Sequence, residues 1–131
     1  KRLDSIVLWH IILMPKIKVS TPLIYDKWDT FSGLTSKAPN AKILTLALQK
    51  RGLPLISRAL FNSLEMVTAK LYPQVNQAKE KLIQSGLKSC LMSGSGPAVF
   101  GIVSSRKEAA ALSGRLKKGY TPFKVFAAKT V

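Results

Sequence analysis

Hydrophobic residues fill all but one position of an early stretch and recur at helical spacing in the middle of the chain. The early stretch, Ile6 to Met14, is rich in β-branched side chains and is followed by Pro15. A strand that is covered on both faces has this pattern, because neither face needs polar residues. We therefore predict a central β-strand over Ile6 to Met14.

A Ser-Thr-Pro tripeptide at residues 20–22 marks the start of the next element. A hydroxyl at the N-cap and a proline at the first helical position both favour helix initiation, so a short helix should run to about Trp28. Residues 30–40 then combine serine, threonine, glycine, proline and asparagine without apolar periodicity. This composition predicts an exposed loop.

Apolar residues spaced three and four apart predict further helices in the middle of the chain. One covers residues 43–48 and should end at the glycine and proline of residues 52–54. Another begins with residues 59–64, and the clearest starts at Pro73 and ends before Gly86. The middle of the chain is therefore predicted to be largely helical.

Two short apolar runs, Ser89 to Met92 and Ala98 to Val103, flank a serine- and glycine-rich connection. They predict two adjacent strands. A capping-box pattern from Ser105 to Glu108 predicts a helix after them, and Lys124 to Ala128 predicts a last strand. The element order favours an α+β fold, in which an antiparallel or mixed β-sheet has helices packed on one face.

Composition adds a strong charge asymmetry. The 131 residues include 21 Lys and Arg but six Asp and Glu, which gives a net charge of +15, and 47% of the chain is hydrophobic. These values predict a single domain, residues 1–131, whose surface attracts anions. The longest apolar run is about half of the ~20 residues that cross a bilayer, so no membrane segment is expected. The single cysteine excludes an intrachain disulfide and suits a reducing cytoplasm.

Most residues that could carry chemistry have simpler interpretations. His10 lies in an apolar strand without an acidic partner nearby in sequence except Asp4, so it should pack beside the sheet. Cys90 has no second cysteine beside it and should be a buried, inert thiol. Asn62 and Glu65 have the spacing of a helix capping box. No Cys/His cluster that could hold a metal is present.

The connection between the two short strands is the strongest candidate site. Ser93, Gly94, Ser95 and Gly96 offer backbone N–H groups without large side chains, together with two hydroxyls, which suits phosphate oxygens. The segment is neither a Walker A loop nor a dinucleotide-binding fingerprint. A plain turn between strands is the alternative interpretation.

The stretch from Leu91 to Gly101, Leu-Met-Ser-Gly-Ser-Gly-Pro-Ala-Val-Phe-Gly, resembles the third motif of the GHMP kinases, which include galactokinase, homoserine kinase and mevalonate kinase. Residues 19–25, 62–65 and 72–75 resemble one branch of that family. Members of this branch phosphorylate 4-diphosphocytidyl-2-C-methyl-D-erythritol in non-mevalonate isoprenoid biosynthesis. The resemblance extends over nearly the whole chain.

The resemblance implies that residues 1–131 are the C-terminal, substrate-side domain of a cytoplasmic kinase, with a ferredoxin-like fold. The intact enzyme would transfer the γ-phosphate of ATP, with Mg²⁺, to the 2-hydroxyl of that substrate. Members of the family carry the catalytic lysine, the catalytic aspartate and the ATP-phosphate loop in their N-terminal domain. Nothing in this chain matches those motifs, so no catalytic residue is assigned here, and the chain alone is expected to be inactive.

The resemblance also implies roles for individual residues. Ser93 to Gly96 would face the nucleotide phosphates and the substrate. Tyr25 would pack against the cytidine end of the substrate, and Thr21 would lie close to the methylerythritol. Two positions depart from the pattern, because Lys18 stands where relatives often have glycine and Ala98 where they often have threonine.

Two alternatives remain open at the level of sequence. Another branch of the same family, such as homoserine kinase, would share the glycine-rich motif. A basic, non-catalytic α+β module that binds nucleic acid would explain the charge. Against the second, no run of Lys and Arg exceeds two adjacent residues, and no nucleic-acid-binding signature is present, so nucleic acid is an unfavoured partner.

Overall fold

One antiparallel sheet organises the chain, which the computed structural model describes over residues 7–31, 41–50, 52–118 and 122–130. Within these ranges the chain forms four strands and six helices. In chain order they are β1 (Trp9–Pro15), α1 (Thr21–Phe31), α2 (Ala41–Lys50), α3 (Leu53–Ala59), α4 (Glu65–Leu71), α5 (Pro73–Gln84), β2 (Cys90–Met92), β3 (Val99–Val103), α6 (Arg106–Lys118) and β4 (Phe123–Lys129).

The strands lie in the order β2-β3-β1-β4, and each neighbouring pair is antiparallel. Strand β1 is therefore central, as its sequence predicted, with Ile11 opposite Gly101 of β3 and Ala127 of β4. The strand begins at Trp9 and includes Pro15, while Ile6 lies outside the described residues. The predicted α+β fold with an antiparallel sheet is confirmed.

The inner face of the sheet carries the main core. Alternate residues of the central strands point to this face, and helices α5 and α6 pack against it. The buried side chains that form this core include Ile11, Leu13, Val75, Leu82, Val99, Val103, Leu112 and Val125. Since β2 and β3 both contribute to it, the connection between them is held at a fixed position at the end of the sheet.

The outer face is covered only in part. Ile102 of β3 is buried in a smaller cluster with Ala47 of α2 and Ile56 of α3. The neighbouring residues of β1 and β4 on this face are partly or largely exposed, including Ile12 and Phe126. The expectation that both faces of the central strand are fully covered is therefore wrong for the outer face.

Three features of the predicted helices differ from the structure. Helix α1 continues to Phe31, three residues beyond the predicted end, so the predicted loop at 30–40 starts later; residues 32–40 lie outside the described ranges. Helix α2 ends at Lys50, before residues 52–54 as predicted, but Pro54 lies in the first turn of a further helix, α3, where a missing N–H costs nothing. Residues 60–64, predicted to begin a helix, instead connect α3 to α4.

The later helices agree with their patterns. Helix α5 runs from Pro73 to Gln84, and Gly86 follows with a φ of 97°. The Ser105 hydroxyl accepts the Glu108 N–H at 3.1 Å, as the capping box predicted, whereas the Glu108 carboxylate bonds to Ser104. Across the described ranges, none of the helices combines the length and the apolar character that crossing a bilayer requires.

Adjacent residues of α5 test the position of the core. Leu82 is 0% exposed and Ile83 is 52% exposed. We expect Leu82→Ala to lower the free energy of unfolding by about 2–5 kcal/mol, because it leaves a cavity in the core. Ile83→Ala should lower it by less than about 1 kcal/mol, because that side chain is half in water already. Urea denaturation of both variants measures the difference, and equal losses would contradict the assignment of the core face.

Candidate functional site

In the loop between β2 and β3, residues Ser93 to Ala98, the backbone amides of Gly94, Ser95 and Ala98 lack an acceptor among the described residues. The Ser93 N–H donates to the Ala98 carbonyl at 2.8 Å, and the Gly96 N–H donates to the Ser93 carbonyl at 3.0 Å. The N–H groups of Gly94 and Ser95 have no acceptor among the described residues. Gly94 is exposed to solvent. The loop therefore has two consecutive amide donors that are not used within it, which suits an anion.

The two glycines of the loop have different reasons to be glycine. Gly96 has a φ of +89°, and an added Cβ would lie 3.0 Å from the Met92 sulfur and 3.1 Å from Cγ2 of Thr68. Gly94 has a φ of +54°, but a Cβ there would meet nothing within 4 Å. Both conformations disfavour a side chain, while close approach to buried neighbours applies only to Gly96.

Helix α1 contacts this loop through a pair of hydroxyls. Thr21 Oγ1 lies 2.9 Å from Ser95 Oγ, within hydrogen-bond distance. Thr21 is the first residue of α1, and the capping bond is made by its neighbour Ser20, whose Oγ accepts the Leu23 N–H at 3.3 Å. The Thr21 hydroxyl is therefore not used as a cap, and it is available at the loop.

Tyr25 lies one turn further along α1 and lines a cavity of about 560 Å³ together with Ser93 and Gly94. Its side chain is 54% exposed. Trp28, on the same helix, also lines this cavity, and its buried indole N–H has no acceptor among the described residues. The residues predicted from the sequence thus form two neighbouring groups. Thr21 and Ser95 face each other through their hydroxyls, and Tyr25 lies with Ser93 and Gly94 around the cavity.

Asn62 and Glu65 do not form the predicted capping box. Asn62 Oδ1 accepts the N–H of Leu64 at 3.0 Å, which stabilises the turn before α4. The Glu65 carboxylate does not return to the cap but accepts the Met92 N–H at 3.0 Å and pairs with Lys79. Their spacing is therefore explained by contacts with strand β2, which sequence spacing alone did not reveal.

Thr68 is a site-forming residue that the sequence interpretation missed. It is 0% exposed in α4, and its hydroxyl donates to the Ser95 carbonyl at 3.0 Å. The only available signal was a threonine four residues after Leu64, on the apolar face of a helix. A buried hydroxyl needs a partner, and the partner is the candidate loop.

His10 and Cys90 are not part of this site. On the outer face of the sheet, the His10 ring packs edge-on against the Phe100 ring, with 5.8 Å between the ring centroids. Burial lowers the pKa of the His10 imidazole. Cys90 is buried, its sulfur lies 3.6 Å from the Leu87 carbonyl, and burial raises the pKa of the thiol. Both agree with the packing roles predicted for them.

The described residues thus combine a four-stranded antiparallel sheet with a glycine-rich loop at one end of it. Residues 44–121 match the family described as GHMP kinases C terminal, and the chain belongs to that family.

Two relatives are similar to this chain over most of its length. The chain is 36% identical over 114 residues to 4-diphosphocytidyl-2-C-methyl-D-erythritol kinase of Moorella thermoacetica, which covers 86% of the chain and 40% of that protein. It is 41% identical over 101 residues to the protein of the same name from Brevibacillus brevis, which covers 77% of the chain and 33% of that protein. The chain thus spans about two-fifths or less of the length of these relatives.

Solved structures agree on the fold. A crystal structure of 4-(cytidine 5'-diphospho)-2C-methyl-D-erythritol kinase superposes with a TM-score of 0.78 at 24% identity and covers 98% of this chain and 45% of its own. Homoserine kinase from Cytophaga hutchinsonii superposes with a TM-score of 0.67 at 21% identity, covering 95% and 41%. At these identities the likeness shows a shared fold and no more.

Alanine at each glycine of the loop tests the local geometry. Gly96→Ala should lower the free energy of unfolding by about 1–2 kcal/mol for the positive φ and by about 1–3 kcal/mol more for crowding against Met92 and Thr68. Gly94→Ala should lose only the first contribution, about 1–2 kcal/mol. Thermal or urea unfolding of the matched pair gives the comparison. A larger loss for Gly94→Ala would contradict the described loop.

Proposed function

We propose that this chain is the C-terminal, substrate-side domain of an ATP-dependent kinase that phosphorylates the 2-hydroxyl of 4-diphosphocytidyl-2-C-methyl-D-erythritol. The observation that carries the proposal is the contact between the Thr21 and Ser95 hydroxyls, next to the two unbonded amides of Gly94 and Ser95. Thr21, which the resemblance links to the substrate, thus contacts Ser95, which it links to the phosphates, and this contact supports the proposal. The identity to relatives that bear this enzyme's name supports the same choice of substrate.

The loop would act electrostatically. Phosphoryl transfer relies on positioning and on stabilising charge as it spreads over the phosphoryl oxygens. The N–H groups of Gly94 and Ser95 would donate to those oxygens. The N–H groups of Ser93 and Gly96 are already bonded within the loop, so these residues would support its shape instead. The net charge of +15 would attract the anionic substrates to the surface.

ATP and Mg²⁺, which the family implies, fit this chain to different degrees. The free amides fit phosphate oxygens, which accept hydrogen bonds. In the part of the chain that the structure describes, no three His, Cys, Asp or Glu side chains come together as a metal-binding group. The chain therefore contributes donors for phosphate, and the ion would neutralise phosphate charge when bound.

The cavity beside the loop would hold the cytidine end of the substrate. Its volume of about 560 Å³ lies in the range typical of small-molecule sites. Tyr25 would stack on the base, an interaction worth about 1–3 kcal/mol. Trp28 lines the same cavity and would add apolar ring surface beside the base.

The remaining parts of the reaction would come from polypeptide outside residues 1–131. In this proposal an N-terminal domain supplies the catalytic lysine, the catalytic aspartate and the ATP-phosphate loop, and it forms the other wall of the cleft. Relatives more than twice as long as this chain leave room for such a domain, which supports that division. The chain alone would then hold one side of the reaction without completing it.

A phosphoryl-transfer assay tests the function. The full-length gene product that contains this chain should phosphorylate 4-diphosphocytidyl-2-C-methyl-D-erythritol with ATP and Mg²⁺, in preference to homoserine or mevalonate. Residues 1–131 alone should give no product above background. Preference for homoserine would assign the chain to that branch of the family, and turnover by the chain alone would contradict the division into two domains.

Binding to oligonucleotides tests the alternative based on charge. Steeply salt-dependent binding to duplex or single-stranded DNA near physiological salt, unaffected by the cytidine substrate, would favour a nucleic-acid-binding module. We expect binding to be weak at that salt concentration and to be displaced by the substrate.

Substitution of Tyr25 tests the stacking role. Tyr25→Ala in the full-length protein should raise the KM for the cytidine substrate by about 5- to 150-fold, which corresponds to about 1–3 kcal/mol. Tyr25→Phe keeps the ring and should change the KM by less than about threefold. Steady-state kinetics measures both variants. An equal rise in the two would assign the effect to the hydroxyl and not to stacking.

A further inference from the structure

Two side chains hold the candidate loop next to helix α4: Asn62, which precedes α4, and Thr68, which belongs to it. Asn62 Nδ2 donates to the Met92 carbonyl at 2.7 Å and to the Gly94 carbonyl at 2.8 Å. Thr68 Oγ1 donates to the Ser95 carbonyl at 3.0 Å. The carbonyls of Met92, Gly94 and Ser95 are therefore all bonded to side chains of the segment 62–68.

The bond to the Gly94 carbonyl has a direct consequence for the next amide. The peptide between Gly94 and Ser95 is trans, so its C=O and its N–H point in opposite directions. When Asn62 holds the carbonyl toward α4, the Ser95 N–H must point away from α4. This N–H has no acceptor among the described residues.

Asn62 is itself fixed by its surroundings. Its Oδ1 accepts the Leu64 N–H at 3.0 Å, which sets the orientation of the amide group and leaves Nδ2 as the donor toward the loop. Glu65 accepts the Met92 N–H at 3.0 Å and pairs with Lys79 of α5. The end of β2 is thus bonded at both its N–H and its C=O before the loop begins.

We propose that Asn62 is a positioning residue that aims the Ser95 amide at the phosphoryl group during transfer. This inference rests on the proposed kinase function. Asn62 does not itself reach the reacting atoms in this proposal; it acts through the Gly94–Ser95 peptide. Its effect should therefore fall on the chemical step more than on substrate binding.

The substitution Asn62→Asp separates the two functions of this side chain. Aspartate keeps the oxygen that accepts the Leu64 N–H but loses the NH₂ group that donates to the loop. In the full-length protein we expect kcat to fall by about 10- to 100-fold, the range for a misplaced reacting group, while the KM for the alcohol substrate changes by less than about threefold. Asn76→Asp, at an exposed position of α5, adds the same charge and should leave kcat unchanged.

A neutral variant separates loss of the donor from added charge. Asn62→Ala also lacks the donor but adds no charge, so it should still lower kcat by about 10-fold or more without any electrostatic repulsion of phosphate. A fall in kcat with Asn62→Asp alone would assign the effect to charge and overturn the proposal. Melting temperatures of all variants report whether each is folded at the assay temperature.

Hydrogen exchange supplies a readout that does not depend on kinase activity. Mass spectrometry of the full-length protein should show faster exchange at the amides of Ser93 and Gly96 in Asn62→Asp than in Asn76→Asp, because the loop is released from α4. Unchanged exchange would overturn the proposal even if kcat falls, and faster exchange with unchanged kcat would overturn the catalytic part. If the unsubstituted protein phosphorylates none of the alcohols tested, the proposed kinase function is wrong, and so is the proposed effect of Asn62 on catalysis. Hydrogen exchange then decides by itself whether Asn62 holds the loop.

Discussion

A backbone amide can bind an anion only if it has no internal acceptor, and it binds well only if its peptide is already held in place. The loop between β2 and β3 meets both conditions. Hydrogen bonds to its carbonyls hold the peptides in place, and the N–H groups of Gly94 and Ser95 have no acceptor among the described residues. Asn62 bonds the Gly94 carbonyl and thereby orients the free Ser95 N–H, and the Gly96 N–H bonds the Ser93 carbonyl and thereby orients the free Gly94 N–H. The inner core fixes the two strands, and α4 fixes the loop between them.

Much of the fold follows from the sequence because its signals are local. The apolar stripe of α5, with Pro73 at its start and Gly86 after its end, was sufficient to place that helix. Helix α3 was missed because a proline such as Pro54 is compatible with two structures. Proline breaks a helix when it lies in the interior, but it is tolerated in the first turn. The apolar run of β1 did not distinguish a sheet covered on two faces from one whose outer face is half open.

The site was predictable only in its exposed parts. Glycines and serines in one short connection indicated a phosphate loop, and the resemblance to the family added Thr21 and Tyr25. The support beneath the loop was not visible, because its hydrogen bonds join residues 27 to 32 positions apart. Asn62 and Glu65 have the spacing of a local cap, and tertiary contacts with β2 replaced the local bond that this spacing suggested.

The central claim is that Gly94 and Ser95 present their amides to phosphate, and amide chemical shifts test it most directly. Addition of a non-hydrolysable ATP analogue with Mg²⁺ to the ¹⁵N-labelled full-length protein should shift the Gly94 and Ser95 resonances. The Ser93 and Gly96 resonances should shift less, because those amides are already bonded within the loop. Saturating analogue that leaves Gly94 and Ser95 unmoved, while other residues respond, would contradict the account.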